Sequence, residues 1–501
     1  MTQDSRPDGR ALASTGIEGL DDILHGGLTP DRLYLVEGVP GSGKTTLALQ
    51  YLIEGARQGE PVLYVTLSET EQELRSVAAS HGWTLEGINI HELATPDENL
   101  LLDEQYTMFH PSEVELTETT QVILSEVERL SPRRVVFDSL SEIRLLAGSA
   151  LRYRRQILAL KRYFAGRDCT VIVLDDLTAA DRDLQVQSIA HGVILLEQLN
   201  PEYGSERRRL RVVKYRGMAF RGGFHDYVIR KGGLQVFPRL VAAEHRQSHD
   251  TRKLALNIAE LDRLLGGGVE LGSSTLIAGP PGTGKSSLAA RLATACAERG
   301  ERSAMYIFDE SFHTLVTRAR NTGSDLMPHV EAGLITIQPV DPAELSPGEF
   351  AHTIREAVEK DGVCLVVIDS LNGYLNAMPD ERFLTIQLHE LLTYLGQKGV
   401  ATLLIGAQQG LLGTQMTAPV DATYLADAVI LLRYFEAFGA VHQAISIVKK
   451  RGSEHERTIR EFRIEKGGLR VGEPLRDFRG VLTGVPVFDG KSSELIQKDL
   501  K

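Results

Sequence analysis

The segment Gly38-Val39-Pro40-Gly41-Ser42-Gly43-Lys44-Thr45 fits the pattern G-x-x-x-x-G-K-[ST] at every fixed position. The run before it, residues 32–37, reads as a short buried strand, and the run from Thr46 to Ile53 reads as a helix. A chance glycine turn would lack these flanks. Glycines let the backbone curl so that its N–H groups point inward at phosphate oxygens, and the helix N-terminus adds a favourable dipole. Lys44 is placed to reach the outer phosphates of ATP, and the Thr45 hydroxyl to ligate Mg²⁺. The pattern then recurs as Gly279-Pro280-Pro281-Gly282-Thr283-Gly284-Lys285-Ser286, between a strand-like run, 274–278, and a helix-like run that opens at Ser287. From Lys44 to Lys285 is 285 − 44 = 241 residues, close to half of the 501. One such loop could be accidental; two at half-chain spacing mean a duplication.

The rest of the chain repeats with the same order. The glycine-ended segments 15–28 and 256–269 precede the two loops. A second strand ends in Ser68-Glu69 in the first half and in Asp309-Glu310 in the second; a third ends in Asp138-Ser139 and in Asp369-Ser370. Fourth strands follow at 170–174 and 401–405. Continuous Val/Ile/Leu runs separated by helices mean a parallel sheet covered on both faces. Each half closes with a β-rich tail carrying Lys214-Tyr215-Arg216-Gly217 or Lys449-Lys450-Arg451-Gly452. The expected organisation is a flexible start, 1–14, a first domain, 15–243, a second domain, 244–487, and a flexible tail, 488–501.

Composition narrows the class. Hydrophobic content of 42% and charged content of 24% suit a globular protein with sizeable cores. A formal net charge of −12 argues against a DNA-coating function, which needs Lys and Arg for phosphate neutralisation. Cys169, Cys296 and Cys364 have no metal-ligand spacing and read as buried small residues, in keeping with a reducing cytoplasm. No signal peptide precedes the first domain, and no run approaches the about 18 apolar residues a membrane span requires.

The strand ends carry the chemistry. Asp138 and Asp369 are placed to hold Mg²⁺ together with Thr45 and Ser286; an Asp-Ser pair can also cap a helix. Glu69 and Glu310 are expected at the end of the strand next to the phosphate strand, where a carboxylate can take the proton of the attacking nucleophile. Lys214 with Arg216, and Lys449 with Arg451, alternate along strands and project to one side. They read as cationic fingers for a neighbouring subunit's γ-phosphate or as a basic edge that discourages aggregation.

These residues together resemble the KaiC family of circadian clock ATPases and autokinases, over roughly residues 15–480. The resemblance implies an α/β fold of two tandem RecA-like P-loop domains, each a mostly parallel sheet flanked by helices with a β-rich C-terminal part. It implies a double-ringed homohexamer with ATP and Mg²⁺ at subunit interfaces. Hydrolysis is expected in the first ring and phosphorylation of nearby hydroxyls in the second. The family's acceptors are an adjacent Ser-Thr pair shortly before the strand opening at Asp427; here the matching positions are Thr423 and Tyr424. Tyr424 departs from that pattern on a longer, rigid arm. Asp309-Glu310 stands where the family has paired acids that serve as base for this transfer, whereas Ser68 leaves Glu69 alone in the first half. The resemblance extends to a KaiB-like partner, but the short charged tail 491–501 departs from the longer tail that a KaiA-type activator grips.

Two other classes compete with this reading. A RecA/RadA-type DNA-dependent ATPase predicts basic pore loops, against the acidic balance of the chain. A nucleotide-gated scaffold predicts assembly on ATP without phosphoryl transfer. The division of labour is testable: Lys44→Ala should mainly lose hydrolysis and ring assembly, and Lys285→Ala should lose self-phosphorylation. Equal loss of the same activity in both variants would contradict it.

Overall fold

The computed structural model describes residues 11–93, 111–177, 184–201, 204–245, 252–376, 384–407, 424–437, 439–483 and 487–488. The chain divides into two compact units, Met1–Arg239 and Leu240–Lys501. In the first, the strands are β1 (Leu33–Gly38), β2 (Val62–Thr66), β3 (Ile88–Glu92), β4 (Arg134–Asp138), β5 (Thr170–Asp176), β6 (Gly192–Leu199), β7 (Arg207–Tyr215), β8 (His225–Arg230) and β9 (Gly233–Phe237). Its helices are α1 (Glu18–Ile23), α2 (Lys44–Arg57), α3 (Glu71–Ser80), α4 (Pro111–Leu130), α5 (Leu140–Ala147), α6 (Ala150–Phe164) and α7 (Leu184–Ile189).

The second unit opens with a short ribbon, β10 (Lys253–Leu254) and β11 (Val269–Glu270), around α8 (Ala259–Leu264). Its main strands are β12 (Ser274–Gly279), β13 (Ser303–Ile307), β14 (Ile335–Pro339), β15 (Leu365–Asp369), β16 (Ala401–Ala407), β17 (Ala428–Ala437), β18 (Ala440–Lys450), β19 (Arg460–Glu465) and β20 (Gly468–Pro474). A ribbon of β21 (Phe478–Arg479) and β22 (Val487–Phe488) follows. The helices are α9 (Lys285–Glu298), α10 (Phe312–Asn321), α11 (Met327–Glu331), α12 (Pro347–Glu359), α13 (Leu371–Asn376) and α14 (Leu384–Gln397).

Each unit is built on one nine-stranded sheet. The orders are β3-β2-β4-β5-β1-β6-β7-β8-β9 and β14-β13-β15-β16-β12-β17-β18-β19-β20, the same order strand for strand. Strands from β3 to β6 run parallel, and β6 to β9 run antiparallel. The β-rich tail of each half thus extends the parallel sheet rather than forming a separate layer.

Alternation along the strands explains why the parallel segments read as unbroken apolar runs. Tyr34 and Val36 enter one core of the first unit, which α2 and α3 cover; Leu33 and Leu35 enter the other, which α4, α5 and α6 cover. In the second unit Ile277 faces one core, while Leu276 and Ala278 face the other. Both faces are covered, so apolar residues fill most positions on both sides of the strands.

One expectation needs correcting. The strands ending before Glu69 and Glu310 are not next to the phosphate strands. β1 lies between β5 and β6, and β2 is reached only after β5 and β4. The chain crosses over before it fills the slot beside β1, which strand lengths and composition do not reveal. Among the described residues no helix is long and apolar enough to cross a membrane.

Candidate functional site

In the first unit β1 ends at Gly38 and the chain curls through Gly41 and Gly43, with φ of 82° and 91°, into α2. A Cβ on Gly38 would lie 2.4 Å from Ser42 Oγ and 2.9 Å from the Leu196 carbonyl, so this close turn admits only glycine. From β8, Tyr227 Oη donates to the Ser42 carbonyl at 2.6 Å and holds the curl in place. Lys44 is buried. Its Nζ donates to the carbonyls of Gly38 and Val39 at 3.0 and 3.1 Å, and it pairs with Asp176 Oδ1 at 2.6 Å. Val39, Pro40, Ser42 and Thr46 complete the loop and the first turn of α2, whose leading N–H groups have no intrahelical partner.

Asp138 ends β4 inside the same pocket. Thr45 Oγ1 donates to Asp138 Oδ2 at 3.2 Å, and Tyr64 Oη donates to the same oxygen at 2.5 Å. Burial holds the Asp138 carboxyl above the usual carboxylate range, and these two donors oppose it. A buried carboxylate facing a hydroxyl at the head of a phosphate loop is an oxygen donor set that fits Mg²⁺.

Glu69 stands between β2 and α3. The next residue, Thr70, caps α3 in a reciprocal capping box with Glu73. Thr66 Oγ1 accepts from the Glu69 N–H at 3.0 Å and donates to its carbonyl at 2.6 Å. The backbone is therefore pinned while the carboxyl points free: Oε2 is buried and has no hydrogen-bond partner among the described residues. Burial pushes this carboxyl up to about 7, with Asp138, Glu73 and Asp176 adding repulsion and Lys44 opposing them.

The second unit repeats this frame with different neighbours. Gly282 and Gly284 take φ of 80° and 95°, and Thr283 Oγ1 donates to the Pro280 carbonyl at 2.8 Å. Lys285 Nζ donates to the carbonyls of Gly279 and Pro280 at 2.9 and 2.8 Å. Burial lowers its pKa to about 8, with Asp369 opposing. Ser286 hydrogen-bonds Asp369, which burial again raises; Pro281 and Ser287 complete the loop and the helix start. The peptide bond after the aspartate is cis in both units.

The acids differ. Glu310 Oε1 lies 2.8 Å from Arg318 Nη1 on α10, and Asp309 Oδ2 accepts from Ser370 Oγ. Burial raises Glu310, and Arg318 is the largest opposing influence. Eight residues past Glu69, where Arg318 would stand, the first unit has Val77. Opposite Gly38 across the β1–β5 ladder stands Asp176, whereas opposite Gly279 stands Ala407.

The four finger residues lie at the other end of each sheet. Lys214 Nζ donates to the carbonyls of Gln187, Ser188 and Ala190, and Arg216 Nη2 donates to Ser188 at 2.7 Å, so both close the C-terminal end of α7. Lys449 Nζ donates to the Ala426 carbonyl at 2.6 Å, and Arg451 Nη1 lies 3.7 Å from Asp427 Oδ1. Asp427 in turn accepts from Ser274 N and Oγ, at the start of β12. Tyr424 is 56% exposed, just before β17; Thr423 lies outside the described residues.

Sequence reasoning missed Asp176, Tyr64, Arg318 and Ser370. Asp176 carries the same signal as Asp138, an acid closing an apolar strand, but only the pairing of β5 with β1 brings it to the phosphate loop. Arg318 leaves no local mark, since it meets Glu310 only through the packing of α10.

Sheets of this order, with a phosphate loop leaving a central strand, are those of RecA-like ATPases, and this chain carries two. The model of the KaiC ATPase family matches residues 13–241 and 255–476, and the chain belongs to that family. It is 26% identical over 501 residues to the circadian clock protein KaiC3 of Synechocystis sp., covering 98% of this chain and 97% of that protein. It is 28% identical over 486 residues to the circadian clock oscillator protein KaiC of Synechococcus elongatus, covering 95% and 92%.

A carboxyl held at about 7 gives a measurable outcome. In a Lys285→Ala background, hydrolysis that uses Glu69 as its base is mostly off at pH 6, where the group is protonated. It should rise through pH 7 and level off above it. Glu69→Gln should lower the plateau by about 100-fold or more. A flat pH profile between 6 and 8 would exclude Glu69 from the proton transfer.

Proposed function

We propose that this KaiC-family ATPase works as a ring-forming homohexamer, with slow hydrolysis of Mg-ATP in the first unit and phosphoryl transfer to its own hydroxyls in the second. The supporting observation is the placement of the fingers and of Tyr424, whose neighbour Leu425 accepts from Ser274 Oγ at 3.2 Å. In the first unit the Arg216 N–H bonds the His191 carbonyl, and the His191 N–H bonds the Leu33 carbonyl, at the start of β1. In the second, the Arg451 N–H bonds the Asp427 carbonyl and the Asp427 N–H bonds that of Ser274, at the start of β12. The phosphate loops leave the opposite ends, at Gly38 and Gly279. Five residue steps of strand put about 17 Å between them, beyond the reach of a lysine, arginine or tyrosine side chain. The fingers and Tyr424 therefore serve another copy of the chain.

In each site the loop amides and Lys44 or Lys285 hold the phosphates, and Thr45 with Asp138, or Ser286 with Asp369, hold Mg²⁺. The ion, when bound, neutralises charge on the outer phosphates. Glu69 takes the proton of the attacking water, a task that suits a pKa close to working pH. In the second unit Glu310, with Asp309 beside it, takes the proton of an incoming hydroxyl, from Thr423 or Tyr424. Arg318 favours the ionised, proton-accepting form of Glu310. Lys214, Arg216, Lys449 and Arg451 add positive charge where the transition state gathers negative charge. A timing or signalling role, with a KaiB-like partner, accords with the clock proteins this chain resembles.

Incubating the purified chain with Mg-ATP and mapping phosphate by mass spectrometry tests this reading, with Glu310→Gln as control. Phosphate on Thr423 or Tyr424 that disappears in the control is the expected result. ATP consumption with no phosphoprotein would overturn the autokinase and leave a nucleotide-gated scaffold.

A further inference from the structure

The second unit holds a pair of thiols that the nucleotide chemistry does not use. Cys296 lies near the C-terminal end of α9 and is fully buried; Cys364 directly precedes β15 and is half-buried. Sequence spacing gives no hint of a pair, because 364 − 296 = 68 residues separate them. In the fold, their sulfurs and a Glu301 carboxylate oxygen all lie within 4.8 Å of one another. Cys364 also lines a surface cleft of about 500 Å³, beside Gly362, Lys398 and Val400. Cys364 thus borders a cleft that admits a small solute, and Cys296 does not.

Two ligand chemistries suit such a cluster, a soft divalent metal or thiol oxidation, and the surrounding charge decides between them. Glu301 is already engaged: Arg299 Nε donates to Oε2 at 3.0 Å, and Arg252 Nη1 lies 2.5 Å from Oε1. Arg299 Nη2 also donates to Cys296 Sγ at 3.3 Å. A divalent cation would have to displace two guanidinium groups from its only carboxylate and sit among them. A thiolate is instead favoured by the same positive charge. Hydrogen bonding from Cys296 lowers Cys364, with Arg252 and Arg299 helping, while Cys296, as donor and fully buried, is raised. The half-buried member is the nucleophile and the fully buried member keeps its proton.

The first unit fills the same corner differently. Counting from the two loop lysines, Cys296 corresponds to Gly55 and Glu301 to Glu60. There a Cβ on Gly55 would lie 2.6 Å from Arg134 Cδ, and the buried Arg134 pairs with Glu60. One half closes the corner with an ion pair, the other with two thiols.

We propose that Cys296 and Cys364 form a reversible disulfide within the second unit, driven by a hydroperoxide. The Cys364 thiolate attacks a peroxide oxygen, the O–O bond breaks, and Cys364 becomes a sulfenic acid as hydroxide leaves. The Cys296 sulfur then attacks the Cys364 sulfur, the S–O bond breaks, and the hydroxyl leaves as water with the Cys296 proton. In balance, two thiols and one hydrogen peroxide give one disulfide and two waters. The bond ties α9, which starts at the phosphate loop, to β15, which ends at Asp369. It joins the far ends of the two elements that build the second nucleotide site.

The test treats the full-length chain with graded hydrogen peroxide, alkylates free thiols, digests without reductant and maps peptides by mass spectrometry. The expected product is a peptide containing Cys296 linked to one containing Cys364, lighter by two hydrogen atoms than the pair and separated again by dithiothreitol. Cys169, buried in the first unit with its thiol pushed up to about 12, stays reduced. Cys296→Ser loses the link and leaves a sulfenic acid on Cys364 that dimedone captures. Irreversible oxidation of Cys364 without a link in the unaltered chain would overturn the proposal. So would links only between chains, or zinc bound one to one that shields both thiols.

Discussion

The length of one short strand governs how this chain can use ATP. β1 and β12 are each six residues long, with a phosphate loop at one end. Side chains held at the other end cannot fold back onto that loop, because the sheet between them is packed on both faces and does not bend. Lys214, Arg216, Lys449 and Arg451 are all held there by backbone pairing and by carbonyls or, for Arg451, a carboxylate of their own unit. On the proposed reading, each unit carries half of one site at one end and half of another at the opposite end. A head-to-tail contact between copies joins such halves and closes into a ring when the rotation allows.

The duplicated sites have diverged around their strand-end acids. In the first unit Asp176 pairs with Lys44 and adds its charge to that of Asp138 near Glu69, which has no ion pair among the described residues. In the second unit Ala407 replaces that acid and Arg318 sits on Glu310. Burial first, and nearby acids second, lift the Glu69 carboxyl to about 7; at Glu310 the same effect of burial is opposed by a cation. Different acceptors, water in one and a protein hydroxyl in the other, are consistent with this difference.

The loops, the duplication and the Asp138 and Asp369 positions were legible because each depends on local sequence. A glycine curl between a strand and a helix is written in consecutive residues, and a buried parallel strand is written as a continuous apolar run. Strand order was not legible. The slot beside β1 goes to β5, from more than 130 residues downstream, and this placement brings Asp176 to Lys44. Pairings across the packing, such as Tyr64 with Asp138, Arg318 with Glu310 and Cys296 with Cys364, are equally invisible in one dimension. Tyr424 is visible as a departure from a family pattern, but its exposure is a property of the folded turn.

The most direct measurement of shared sites is complementation between two defective chains, both in a Lys285→Ala background so that only the first unit is read. One carries Glu69→Gln and the other carries Arg216→Ala. Each alone should hydrolyse ATP poorly. Randomly mixed before assembly, they place an intact glutamate opposite an intact finger at about a quarter of the interfaces. The account expects about a quarter of the parent rate from the mixture. A mixture no faster than the average of the two chains alone would contradict it, because each site would then be complete within one copy.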